Sequence, residues 1–160
     1  MPDPVAAAAG AGTYYPPVGF YFKLSFSGVS DAMDAAFKEV SGISAEINIE
    51  EITEGGENRF KYKVPTGGKY GNLVVKRGLV LPSSTMAQWC FDTIGSDLSN
   101  PIIPKTIIVT LMDADATPLM AWNFFNAWPV KWSASDLKSQ DGEIVIESIE
   151  FAYTYFNNAQ

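Results

Sequence analysis

The chain has 160 residues, 47% hydrophobic and 13% aromatic, with 11 basic against 18 acidic side chains (formal charge −7), no histidine and one cysteine. That length suits one domain with a substantial core. The acid excess argues against a nucleic-acid ligand, no run reaches the ~18 apolar residues of a membrane span, and Cys90 alone makes neither an internal disulfide nor a thiolate metal cluster.

Residues 1–13 are small and apolar around Ala6 and Ala9, with Asp3 their only charge. They read as a flexible Ala/Gly-rich tail ahead of a domain at 14–160. The stretch lacks the basic start of a signal peptide, so folding in a reducing cytoplasm is expected. Tyr14, Tyr15, Pro16 and Pro17 make an extended lead-in. Phe20, Phe22, Leu24 and Phe26 then alternate with Tyr21, Lys23, Ser25 and Ser27, the period of a strand with one buried face, which Gly28 ends. Residues 30–37 suit a short helical turn capped by Ser30 or Asp31.

The most informative stretch is 43–64, where two alternating segments flank a loop at 52–58 containing Gly55 and Gly56. It predicts a long hairpin. Ile43, Ala45, Ile47 and Ile49 share one face of its first strand, and Phe60, Tyr62 and Val64 share one face of its second. The opposite faces set Glu46, Asn48 and Glu50 against Arg59, Lys61 and Lys63, acid facing base. Residues 66–69 read as a further turn, and 72–81 as an extended run ending at Pro82.

A helix follows, capped by Ser83 or Ser84, with Met86, Trp89, Cys90, Ile94 and Leu98 on one buried stripe and Gly95 near its end. Strands are predicted at 106–112 and 119–128, joined by a turn at 113–118. A last strand covers 142–156. Its apolar residues change parity, from Ile144 and Ile146 to Ile149, Phe151, Tyr153 and Tyr155, which predicts a bulge or a change of buried face near Glu147.

Without histidine the commonest general base and zinc ligand is missing, so no catalytic site, no metal and no cofactor are expected. Glu50, Glu51, Glu54 and Glu57 read as a solvated loop rather than a carboxylate pair, since no turn chemistry makes them converge. Asp113 and Asp115 open like a calcium loop but lack its glycine and distal glutamate, which leaves a hairpin turn. Gly67, Gly68 and Lys69 have the wrong spacing for a phosphate loop. Trp122, Trp128 and Trp132, with Phe124 and Phe125, read as core or subunit interface before a stacking platform for sugars; a carbohydrate-binding β-sandwich remains the alternative from another class. Cys90, on the apolar stripe, reads as a buried, inert thiol.

A hairpin with one apolar and one charged face is not stable alone, and its edges seek partners. An identical neighbour reached by a rotation that closes gives a ring with no free edge. A low 18% of charged residues leaves surface for such a partner.

Dispersed blocks in the chain carry a resemblance: YYPPVGFYFKLSF at 14–26, FKEVSG at 37–42, TEGGENRF at 53–60, YGNLVVKRG at 70–78, NAWPVKW at 126–132 and IESIEFAYTYF at 146–156. Together they resemble the inner tube proteins of contractile phage tails and extracellular contractile injection systems. The resemblance implies a mainly β fold, a β-sandwich or partial barrel with one peripheral helix and a long hairpin joining neighbours into a ring-shaped barrel. It implies homo-hexameric rings stacked into a tube, a sheath outside, a baseplate hub or spike and a tube terminator at the ends, and protein or other cargo in the lumen, with assembly in a bacterial cytoplasm. On that carry-over Ile43, Ala45, Ile47, Ile49, Phe60, Tyr62 and Val64 are inter-subunit hairpin residues. Glu46, Glu50, Arg59, Lys61 and Lys63 are lumen or ring-contact charges, and Met86, Trp89, Cys90 and Ile94 pack a peripheral helix. The YYPPVGF and EGGENRF blocks are closer to a baseplate-proximal tube initiator than to the bulk tube subunit, which gives a second reading on the same fold.

Overall fold

A computed structural model of the chain describes residues 19–27, 36–56, 58–78, 85–136 and 145–159. In order these form β1 (Tyr21–Phe26), β2 (Ala36–Phe37), β3 (Glu39–Ser41), β4 (Ala45–Ile52), β5 (Tyr62–Tyr70), β6 (Leu73–Gly78), α1 (Thr85–Ile94), β7 (Lys105–Met112), β8 (Pro118–Ala134), β9 (Ile146–Ala152) and β10 (Tyr155–Ala159). The expected tail, the 14–17 lead-in, Gly28, the caps at Ser30, Asp31, Ser83 and Ser84, and Ile144 fall outside the described residues.

The main sheet runs β2-β1-β7-β8-β9-β6-β3, with β10 also paired to β8. Every pairing is antiparallel. β8 organises the whole. Its first half pairs with β7 on one side and β10 on the other, and its second half pairs with β9. The sheet therefore folds about this strand into two layers. The two ends of the path, β2 and β3, are separated in sequence by Lys38 alone, whose N–H donates to the Lys76 carbonyl (2.9 Å), so the curled sheet brings its margins together there. This is the sandwich or partial barrel of the sequence reading.

The core fills the space between the layers with Leu24, Phe26, Phe37, Leu73, Val75, Ile107, Val109, Phe124, Ile149 and Phe151. α1 lies against it. Met86, Trp89 and Cys90 are buried, and the Trp89 ring stacks on Phe151 (5.7 Å between centroids) and meets Phe26 edge-on (5.7 Å). The Trp89 indole N–H donates to the Ile103 carbonyl (3.1 Å), and the Lys105 ammonium lies 5.1 Å above the ring. Trp89→Phe is accordingly expected to keep the packing and lose the donor, costing about 1 kcal/mol in a urea titration. Ile94 and Leu98 are 40% and 76% exposed, so the buried stripe ends at Cys90. The helix stops where a side chain at Gly95 would press against the Phe91 carbonyl at 2.6 Å.

Four local expectations are corrected. Ala36 and Phe37 form strand rather than helix, because Phe37 enters the core at 2% exposure and pairs with Phe22. Residues 66–69 are strand, not turn: β5 continues to Tyr70, which pairs with Ala45. β8 extends past 128 to Ala134, accommodating Asn126 in a left-handed conformation (φ 53°) and a register shift between Pro129 and Lys131; a proline without an N–H is tolerated at such an irregularity. No bulge occurs at Glu147. β9 pairs regularly with β6, and Glu147, Ile149 and Phe151 all point inward, so a buried charge occupies the position that an apolar residue was expected to hold. The last strand instead breaks at Tyr153 and Thr154, between β9 and β10.

Candidate assembly surface

Among the described residues β4 and β5 pair only with each other, forming a separate two-stranded ribbon. All eight residues of β4 are exposed. Ile47 (69%) and Ile49 (57%) lie open to solvent, with Ile52, Phe60 and Tyr62 about half exposed. Large apolar side chains so placed mark an interaction surface, and an isolated ribbon is marginal in water.

The register redistributes the predicted faces. Ala45, Ile47, Ile49 and Glu51 face Tyr70, Gly68, Pro65 and Lys63, while Glu46, Asn48, Glu50 and Ile52 face Lys69, Gly67, Val64 and Tyr62. Tyr62 and Val64 thus share a face with Glu46, Glu50 and Ile52, not with Ile47 and Ile49. The cause is a bulge between Asn48 and Ile49 that leaves Thr66 unpaired, its hydroxyl donating to the Asn48 carbonyl (3.2 Å). Acid still faces base, now as Glu46 with Lys69 and Glu51 with Lys63, and Lys61 reaches Glu51 at 3.5 Å. Exposed pairs of this kind contribute only about 0.2–1 kcal/mol each. Phe60 stands outside β5 and meets Tyr62 edge-on at 5.2 Å.

The ribbon's root is anchored. Tyr70 packs edge-on against Tyr153 (6.1 Å) and Phe156 (5.6 Å), while Ile43, ahead of β4, packs against the core of its own chain rather than standing in the ribbon. Gly42 turns left-handed (φ +83°) so close to the Asn72 carbonyl that a side chain there would collide with it. The Tyr153 hydroxyl is buried without a partner among the described residues, and burial, followed by the neighbouring Tyr70, raises its pKa above 10.0. Tyr70→Ala is expected to leave the melting temperature within a few degrees, since Tyr70 is 38% exposed, but to speed amide exchange throughout β4 and β5 relative to the core.

A second open feature is the sheet of β1, β7, β8 and β10. β10 reads Tyr-Phe-Asn-Asn-Ala, with neither charge nor proline, and among the described residues pairs only with β8. Among the same residues β2 covers β1 only at Phe22 and Lys23. Edges left so bare are unusual in a solitary protein. A hollow of about 760 Å³ lies at one end of this sheet, bordered by Lys23, Ser25, Thr110, Ala121 and Ala159 on the face away from the core and by Met120 and Asn158 of the opposite parity.

The tryptophans and Phe124 form no open platform, while Phe125 stands on the sheet face away from the core, stacked on Tyr155. Phe124 is fully buried and Trp122, Trp128 and Trp132 pack against the core. The Asp113 carboxylate accepts from the N–H groups of Asp115 (2.9 Å) and Thr117 (2.8 Å), so the aspartates close the β7–β8 turn.

The fold is similar to solved structures of contractile machines. A chain of the anti-feeding prophage baseplate superposes with TM-score 0.74 at 23% identity, covering 91% of this chain and 97% of that one. A chain of an extracellular contractile injection system, from the PVC sheath–tube complex in its extended state, gives 0.71 at 20%, covering 93% of each. A chain of the anti-feeding prophage tube-terminating cap gives 0.72 at 20%, covering 98% and 99%. At these identities the likeness concerns the fold. No curated protein matches the chain. The model of the T4-like virus tail tube protein gp19 family matches residues 18–157, nearly the whole described domain, and the chain belongs to that family.

Proposed function

We propose that six copies of this chain close into a ring, that the rings stack into the inner tube of a contractile injection system or contractile tail, and that a contracting sheath drives this tube through a target envelope. The observation that carries the reading is that, among the described residues, a four-stranded antiparallel sheet leaves the outer margin of β10 and most of that of β1 unpaired. Because β1, β7, β8 and β10 alternate in direction, β10 of one copy laid beside β1 of the next stays antiparallel, so a rotation continues the sheet all round and abolishes its edges. The ribbon supplies the second contact. Ile47 and Ile49 lose their exposure against the neighbouring copy, and Glu46, Glu50, Arg59, Lys61 and Lys63 set its register at the ring contact. Obligate interfaces of this kind bury on the order of 2,000 Å² or more and are more apolar than transient ones, in keeping with the high hydrophobic share of the chain.

The partners follow from the same reading: sheath outside, baseplate and terminator at the ends, assembly in the cytoplasm before release as a tail-like particle. The role is mechanical, with rigidity rather than bond chemistry as its product. Electron microscopy and native mass measurement of the purified chain test it: sixfold rings that stack support the bulk subunit, and a stable monomer at working concentration rejects the proposal. The likeness to a chain of a baseplate assembly favours a second reading, the initiator that begins the tube; single rings that lengthen only when a hub is added would select it.

A further inference from the structure

Resting on the ring proposed above, the naked side of the β1-β7-β8-β10 sheet acquires a definite place. Its other side carries the core, with α1, β6 and β9 packed beyond it. When copies join edge to edge around an axis, that bulk has room only outside the barrel, so the naked side faces the axis.

The residues on that side follow from register. One row is Lys23, Thr110, Ala121 and Ala159, and the next is Ser25, Ile108, Asn123 and Asn157. Beyond them lies Phe125, stacked on Tyr155 at 4.6 Å, and at the other end Tyr21 beside Met112. In a chain with 18 acidic residues, these rows contain no carboxylate and a single charge, Lys23. Small and amide side chains, with Ile108, make the remainder of the rows uncharged.

On that ring this face is the wall of the conduit, and we infer that Lys23 sets the sign of what enters it and that the cargo is polypeptide of net negative charge. A ring of one cation per subunit in a water-filled bore attracts acidic surfaces and repels basic ones over about 8–10 Å at ordinary ionic strength. One cation per subunit is too sparse to track a phosphate backbone, whose binding scales with the number of phosphates neutralised. Polypeptide is therefore favoured over nucleic acid.

Two measurements on assembled full-length chain test the inference. Lys23→Cys introduces a thiol while the native Cys90 stays fully buried. A bulky polyethylene-glycol maleimide should label this variant freely in dissociated subunits but many-fold more slowly in tubes seen by microscopy to be intact. Equal labelling in tubes would put Lys23 on the outside and overturn the placement. For the sign, tubes are assembled with one small fluorescent domain in acidic or basic surface versions, or with a short duplex DNA, and then sedimented. Severalfold preferential retention of the acidic version, lost at high salt and inverted by Lys23→Glu, is the expected result. Equal retention, preference for the basic version, or stronger retention of DNA would overturn it. Absence of any ring in the native chain, read from the same images, would instead defeat the assembly proposal beneath it.

Discussion

The Ile47→Asp, Ile49→Asp double variant is expected to be a folded monomer that no longer forms rings. Both side chains are more than half exposed in the isolated chain, so the substitution removes little from the core, and surface changes of this kind shift folding stability by only about 0.5 kcal/mol. In the proposed ring the same positions are covered. Each isoleucine contributes about 1.5–3 kcal/mol when buried, and each aspartate adds the cost of taking a carboxylate from water. The lost apolar burial alone amounts to roughly two to four orders of magnitude in association constant per contact. Light scattering reads the oligomer and circular dichroism the fold. A normal ring carrying both aspartates would remove the ribbon from the interface.

Glu147→Ala should be the most damaging substitution inside the domain. Arg77 and Glu147 are each 3% exposed, Cα partners across β6 and β9, with 2.9 Å between the guanidinium Nε and carboxylate Oε2. The other carboxylate oxygen accepts from the Trp132 indole (2.6 Å), and the guanidinium lies 5.0 Å over the Phe37 ring. The cluster thus joins β8, β9 and β6 to β2 across the fold. Removing the carboxylate leaves a guanidinium in a dry site and an indole without its acceptor, which costs about 3–5 kcal/mol. Replacing both charges, as in Arg77→Met with Glu147→Leu, should restore much of that loss, because a buried pair roughly balances its own desolvation. Urea midpoints for the two singles and the double decide the matter. A single-variant cost below about 1 kcal/mol would mean that water reaches the pair.

The same cluster explains one limit of reading the sequence. Alternation identified a strand around Ile146 and Phe151, but a glutamate on the inward parity looked like an interruption, because charged residues almost never enter a core unless paired. Its partner lies 70 positions earlier, and a one-dimensional pattern does not show that distance. The ribbon's register was hidden for a different reason. Gly67 and Gly68 are ordinary turn signals, yet here they face Asn48 and Ile47 within a strand, and the bulge at Thr66 shifts every pair beyond it. Elements with strong apolar alternation, such as β1 and β7, and the helix stripe through Met86, Trp89 and Cys90 were legible because burial alone decides their faces. The margins that β10 and most of β1 leave unpaired among the described residues were not, since only the completed sheet shows which strands lack a neighbour.

β8 carries a consequence for a body that is pushed. Its 17 residues belong to both layers, and its neighbours run antiparallel along almost its whole length. A pull along that strand loads many interstrand hydrogen bonds at once in shear, whereas a pull across it would unzip them one by one. A tube whose axis lies within a steep angle of β8 would yield at much higher tension than one oriented crosswise, so the breaking strength of a single protomer under an optical trap should depend on the direction of pulling.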